Sequence, residues 1–203
     1  MKTFQDLNLS KEVLLALDEI GFLEPTPIQQ KTIPLTMKGH DVIGQAQTGT
    51  GKTAAFGIPI AENITGAKQV QTLVLTPTRE LAIQVADELK KIMKHRRTRV
   101  APIYGGQPIF PQIKELKKGP QVVVGTPGRI LDHLHRNTLQ TNHVKMVVLD
   151  EADEMLDMGF IHDIEAILHE LPKKRQTMLF SATLPDDIKK LAKKYMNDPI
   201  HVS

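Results

Sequence analysis

At 203 residues the chain has the length of one fairly large domain, with ample material for a buried core. Hydrophobic residues at 40% and charged residues at 24% fit a globular chain and exclude a largely disordered one. There is no cysteine, which excludes disulfides and thiolate metal sites. The longest wholly apolar run, Val13 to Leu17, is far too short to cross a bilayer. Met1-Lys2-Thr3 leads into polar residues without an apolar h-region, so no secretory leader is expected, and a reducing cytoplasm is the expected location. Net charge is +3 but unevenly spread. Residues 1–65 carry five basic and seven acidic side chains, so the positive excess lies beyond them. It gathers at Lys90, Lys91, Lys94, Arg96, Arg97 and Arg99, at Lys173, Lys174 and Arg175, and at Lys189, Lys190, Lys193 and Lys194. Solvated helix faces and helix C-termini explain such clusters more readily than a polyanion does, so charge alone does not establish nucleic-acid binding.

In chain order, the first informative signal is Thr26-Pro27: threonine suits an N-cap and proline the first helical turn, which would fix Gln29 near the start of a helix. Val42–Gly44 then reads as a strand. It runs into Ala46-Gln47-Thr48-Gly49-Thr50-Gly51-Lys52-Thr53, a glycine-containing loop that ends in Gly-Lys-Thr and leads into a helical pattern. Such a loop cradles phosphates with its backbone N–H groups, the lysine neutralises the terminal phosphates, and the threonine hydroxyl reaches Mg²⁺. The loop departs from the G-x-x-x-x-G-K-[ST] pattern, since alanine stands at position 46 where the first glycine belongs. Thr72–Leu75 is the next strand, and a helix over Glu80–Met93 follows with Leu81, Val85, Leu89 and Ile92 on one stripe. Arg99–Ile103, Val122–Val124 and Met146–Leu149 read as further strands. A helix over Ile161–Leu171 carries Ile161, Ile164, Ile167 and Leu168, and Thr177–Phe180 and a short Ile200–Val202 complete the set.

These strand runs are apolar throughout and do not alternate, which suits strands covered on both faces. With helices between them they predict an α/β fold, a doubly wound parallel sheet flanked by helices in a single domain. Ligands of such sheets bind beyond the carboxyl ends of the strands. That rule gathers residues 46–53, 76–79, 104–106, 125–129, 150–153 and 181–183 onto one edge. Among them is Asp150-Glu151-Ala152-Asp153, which places two carboxylates directly after an apolar strand. Alone, four such residues equally describe a solvated helix start. Paired with the Gly-Lys-Thr loop, they indicate a nucleoside triphosphate and magnesium.

The same loops carry Pro77-Thr78-Arg79-Glu80-Leu81-Ala82, Gly105-Gly106, Thr126-Pro127-Gly128-Arg129 and Ser181-Ala182-Thr183, and upstream stands Gly21-Phe22-Leu23-Glu24-Pro25-Thr26-Pro27-Ile28-Gln29 with an isolated Phe4 before it. In this order the motifs closely resemble the first RecA-like domain of DEAD-box ATP-dependent RNA helicases, over essentially the whole chain. Residues 1–36 resemble the Q-motif region and residues 37–203 the P-loop core. The family form of the loop begins with alanine, so Ala46 matches it.

The resemblance implies a set of roles. Phe22 would stack on adenine and Gln29 would read its edge, a pairing that a carboxamide makes with the N6 and N7 positions. Thr48, Gly49, Thr50, Gly51, Lys52 and Thr53 would hold the phosphates of ATP. Thr53 and Asp150 would hold Mg²⁺, Asp150 through its water shell. Glu151 would orient and deprotonate the attacking water, making Glu151, Lys52 and Asp150 the catalytic set. RNA would be gripped by its backbone, without sequence preference, at Pro77, Thr78, Arg79, Gly105, Gly106, Thr126, Pro127, Gly128 and Arg129. For Arg79 an internal salt bridge competes with that role, and for Phe22 a place in the core competes. With aromatic residues at 4% and no tryptophan, no stacking platform is expected. Asp153, Ser181 and Thr183 would couple the two sites through hydrogen bonds. The eight histidines read as surface or capping residues rather than metal ligands.

A complete helicase of this kind resembles two such domains, and no arginine-bearing segment of the second is found here. The chain is therefore expected to be an N-terminal lobe that lacks its C-terminal RecA-like partner. As part of an enzyme it would be the ATP-binding half of an RNA-dependent ATPase. As a module it would hold nucleotide, RNA or a partner protein without turnover. No membrane association is expected, and no protein partner is indicated.

Overall fold

The computed structural model describes residues 3–203; Met1 and Lys2, which enter the reading of the N-terminus, lie outside the described residues. After a 3-10 turn at Phe4–Leu7 come α1 (Lys11–Ile20), α2 (Pro27–Met37), β1 (Val42–Gln45), α3 (Lys52–Asn63), β2 (Thr72–Leu75) and α4 (Arg79–Ile92). The chain continues through β3 (Val100–Ile103), α5 (Ile109–Lys117), β4 (Val122–Gly125), α6 (Pro127–His135) and β5 (Met146–Leu149). It ends with α7 (Ala152–Asp157), α8 (Ile161–Glu170), β6 (Gln176–Ser181), α9 (Asp186–Tyr195) and β7 (Ile200–Val202).

The seven strands form one sheet in the order β3-β4-β2-β5-β6-β1-β7, and every pairing is parallel. β2, β4 and β5 are buried at each position, as their unbroken apolar runs demand when helices cover both faces. Alternate strand residues feed two separate cores. Val74, Val124, Val148 and Phe180 pack with α1 to α4 on one face, while Leu73, Val123, Val147 and Leu179 pack with α6 to α9 on the other. This is the doubly wound, RecA-like arrangement expected from the alternation of strands and helices.

Boundaries differ by a residue for identifiable reasons. β1 and β6 each run one residue further than their apolar runs, because Gln45 pairs with Ser181, and β4 takes in Gly125 opposite Leu75. Main-chain pairing, not side-chain character, sets those ends. Phe4 is 4% exposed and sits in the first core. Asp41, just before β1, is buried and accepts from the backbone N–H groups of Thr177 (2.8 Å) and Asn197 (2.6 Å), tying the start of β1 to both neighbouring segments. Because all strands run the same way, all their carboxyl ends, and the loops that follow them, share one edge.

Candidate nucleotide and RNA site

β1 stops at Gln45 and α3 starts at Lys52, so residues 46–51 must reverse direction over the end of the sheet. Gly49 (φ +78°) and Gly51 (φ +86°) make that turn in the left-handed region, where a side chain is strained. Gly51 is the N-cap of α3, and a Cβ there would collide with the Gln29 carboxamide. The first-turn N–H groups of α3 open onto the loop and carry its positive end. Within the loop the Thr50 hydroxyl donates to Gln47 (2.7 Å), and Thr48 is exposed.

Gln29 is 3% exposed, and both halves of its carboxamide are engaged. Its Oε1 accepts from the Thr26 N–H (3.0 Å), the reciprocal bond of a helix N-terminus, and its Nε2 donates to the Gly51 carbonyl (3.0 Å). Pro27 stands at the first position of α2, so Gln29 clamps the start of that helix to the phosphate loop. Phe22 is half-buried and packs on the edge of the first core, leaving part of its ring accessible.

Lys52 and Asp150 are both buried, at 7% and 3% exposure, and near enough for the ammonium to act on the carboxyl. The Asp150 carboxyl is raised to about 7: burial pushes it up, the Lys52 ammonium opposes that, and the Glu151 carboxylate adds to it. The Asp150 N–H donates to Leu75 (2.9 Å), but its Oδ1 is buried without a hydrogen-bond partner. A buried acceptor left without a donor costs about 1–3 kcal/mol. The hard oxygens of Asp150 and Thr53 fit a hydrated magnesium ion, whose water would supply the missing donor. Glu151 follows with φ +52°, the one left-handed residue outside glycine, asparagine and aspartate among the described residues. That conformation makes it the N-cap of α7.

Sequence reasoning missed a third acid. Glu88 of α4 is half-buried, and burial raises its carboxyl while Lys91 and a hydrogen bond from the Thr53 hydroxyl lower it. A hydroxyl that donates its one hydrogen keeps its lone pairs free for a cation. The available signal was an acid beside the apolar stripe Val85, Leu89 and Ile92, on the helix that packs on α3.

Asp153, on the first turn of α7, binds the Ser181–Thr183 segment. Its carboxylate accepts from the Thr183 N–H (3.0 Å) and hydroxyl (2.9 Å), and its own N–H donates to the buried Ser181 hydroxyl (3.1 Å). Burial alone would raise the Asp153 carboxyl, but the bonds from Thr183 and Ser181 together hold it below the usual range.

The remaining loops lie along the same edge. Thr78 caps α4 by accepting from the Leu81 N–H (3.2 Å), Pro77 is buried, and the exposed Arg79 lies over the Tyr104 ring (5.2 Å). The partner of Arg79 is thus an aromatic face and not the acid that an internal salt bridge required. Gly105 and Gly106 follow β3, with Gly106 exposed at φ +77°. Thr126 and Pro127 start α6, and Gly128 is exposed. Arg129 is half-buried and donates through Nη1 to the Gln107 carbonyl (2.9 Å) and to Gln112 Oε1 (3.0 Å). Gln112 in turn donates to the Tyr104 carbonyl (2.8 Å), and His133 joins it through Nε2 (3.0 Å). His133 corrects the reading of the histidines as surface or capping groups. It is wholly buried, with Thr138 Oγ1 against its other nitrogen at 2.8 Å, because the β3–α5 and α6 segments meet around it.

Residues 26–191 match the DEAD/DEAH box helicase family. The chain is 64% identical over 200 residues to a DEAD-box ATP-dependent RNA helicase CshA from Geobacillus kaustophilus, spanning 98% of this chain and 43% of that protein. The protein of the same description from Bacillus subtilis is 58% identical, over 98% of this chain and 41% of its own length. The chain thus spans about two-fifths of these relatives. Among solved structures, a DEAD box protein from Methanococcus jannaschii superposes with a TM-score of 0.96 at 50% identity, over 99% of this chain and 55% of that one. An ATP-dependent RNA helicase, described as hypothetical, from Sulfolobus tokodaii superposes with a TM-score of 0.89 at 41% identity, over 95% and 56%.

Proposed function

Since the chain belongs to the DEAD/DEAH box helicase family, we propose that it is the ATP-binding lobe of an ATP-dependent RNA helicase, with residues 1–36 as the Q-motif region and 37–203 as the P-loop core. The observation that carries this reading is the buried pair Lys52 and Asp150, two charges kept from water with one carboxylate oxygen unmatched. Burying charge is costly unless it is paired and fully hydrogen-bonded, and this pair, with one oxygen left unmatched, sits where a loop and a helix N-terminus present N–H groups. Thr53 and Asp150 would hold magnesium, which would neutralise phosphate charge as the terminal bond breaks. Lys52 binds the terminal phosphates as a point charge. Glu151, set at the strand end by its left-handed backbone, holds the attacking water and takes its proton. Gln29 and Phe22 would bind adenine. Gln29 Nε2 donates one hydrogen to Gly51 and keeps a second for a base, so base reading links the loop's position to the base.

RNA would lie across Pro77–Arg79, Gly105–Gly106 and Thr126–Arg129, its phosphates meeting backbone N–H groups and the exposed Arg79. Arg129 contributes chiefly by holding the Gln107 segment in place. Asp153 joins the catalytic strand end to Ser181 and Thr183, so a shift at one site moves the other. Unwinding of short duplexes would require a second lobe. Titration of ATP and ADP with magnesium into the chain and into Lys52→Ala tests the nucleotide site. The variant should stay folded by circular dichroism and lose at least about 30-fold in affinity, the scale of removing a buried charge contact worth ~2 kcal/mol. Unchanged binding by a folded variant would refute the site.

A further inference from the structure

α5 carries an aromatic ring that the fold does not use. Phe110 is 73% exposed, although the opposite face of the same helix is anchored by the buried Gln112 and Leu116. Positions 110, 114 and 117 fall on one face of a helix, and Lys114 and Lys117 are exposed there with Phe110. Lys118 pairs with Glu115, whereas Lys114 and Lys117 form no ion pair among the described residues. The stripe therefore reads ring, cation, cation over about 10 Å of helix. It starts four residues after Gly106 and is held in register with that loop, because Gln112 bonds both Tyr104 and Arg129. The backbone that carries the ring is already fixed in the first turn of α5, with Pro108 as its N-cap residue.

We infer that this face of α5 is a stacking and phosphate-binding surface for single-stranded RNA, extending the backbone grip of the strand-end loops. This rests on the RNA-binding reading of those loops. One unpaired base stacks on Phe110, and the phosphates beside it meet Lys114 and Lys117. A lone ring followed by two unpaired cations matches a nucleotide strand better than a protein partner, which would meet two uncompensated charges for one apolar contact. A duplex, whose bases already stack on each other, gains only the lysine contacts. Low aromatic content hid this surface: Ile109 and Phe110 are adjacent, and nothing in their order says which faces out.

The test titrates fluorescently labelled single-stranded oligoadenylate, and a blunt RNA duplex of equal length, into residues 1–203 at low salt. Phe110→Ala should weaken single-strand binding about 5-fold or more and leave duplex binding unchanged, with Phe110→Tyr restoring the wild-type value. Lys114→Gln and Lys117→Gln should each flatten the salt dependence of binding by about 0.7 of a unit of slope. If Arg79→Ala weakens binding while Phe110→Ala does not, the inference fails and the RNA reading of the loops stands. If the wild-type chain binds neither RNA, both fail. Loss of self-association in Phe110→Ala without loss of RNA affinity would also overturn the proposal, by making the ring a contact between copies.

Discussion

Gln29 holds the phosphate loop with the same atoms that would read a base. Removing its carboxamide therefore affects both the loop and the selectivity. Gln29→Ala should weaken ATP and ADP and narrow their advantage over GTP, since base-edge bonds worth roughly 1–3 kcal/mol are lost. Parallel titrations of the three nucleotides decide it, and preserved discrimination would leave Gln29 with the clamp alone. His133 gives a pH effect whose sign follows from burial. Its folded pKa lies below the ordinary 6.5 because desolvation, and then Arg129, disfavour the charged ring. Below the ordinary value the unfolded chain takes up a proton that the native chain refuses, so stability falls as pH drops from about 7 towards 5. Denaturant melts should show that loss in the wild type and a smaller one in His133→Gln; equal slopes would contradict it. Lys52, Asp150 and Glu151 could be singled out in the sequence because they stand in contiguous motifs. Glu88, Gln112 and His133 could not, since each finds its partner on another element, Thr53 and Arg129 among them.

The strands were readable because a parallel sheet covered on both faces needs unbroken apolar runs, and few other structures do. Their last residues were not, since Gln45, Gly125 and Ser181 are held by pairing alone. The junction of β5 and α7 combines a left-handed residue with the hydrogen bonds to the Ser181–Thr183 segment. Glu151 sits in a region that costs a branched or long side chain about 1–2 kcal/mol. Glu151→Gly should therefore keep or raise stability, by up to about 1 kcal/mol, while removing the acid proposed to position water. A destabilised Glu151→Gly variant in thermal or denaturant melts would show that the carboxylate, not the backbone, dominates there. Two residues on, the Asp153 carboxyl is held below its ordinary 3.8 by Thr183 and Ser181 against the effect of burial. A depressed carboxyl contributes stability above its ordinary value and loses it as pH falls through the folded one. Acid unfolding of the wild type should thus be steeper below about pH 4 than that of Asp153→Asn.

At the scale of the molecule, strand direction does the gathering. One parallel sheet brings loops from six strands, spread from residue 46 to residue 183, to a single edge, and that much followed from the alternation of strand and helix signals. Which side chains along that edge face water did not follow, because it depends on how each helix rolls on the sheet; Phe110 facing out and His133 facing in are the clearest cases. The groups proposed to hold phosphate and RNA lie on one edge, and the chain spans 43% and 41% of the two CshA relatives. In related phosphoryl-transfer systems a charge donated from outside the phosphate loop supplies roughly 10³–10⁵ of rate. The most direct measurement is the steady-state ATPase rate of residues 1–203, shown to be monomeric, with and without saturating single-stranded RNA. The expected result is a rate close to background in both conditions despite measurable ATP binding, with turnover appearing when a C-terminal lobe is joined on a linker and vanishing again in Glu151→Gln. Robust RNA-stimulated hydrolysis by the monomeric chain alone would contradict it.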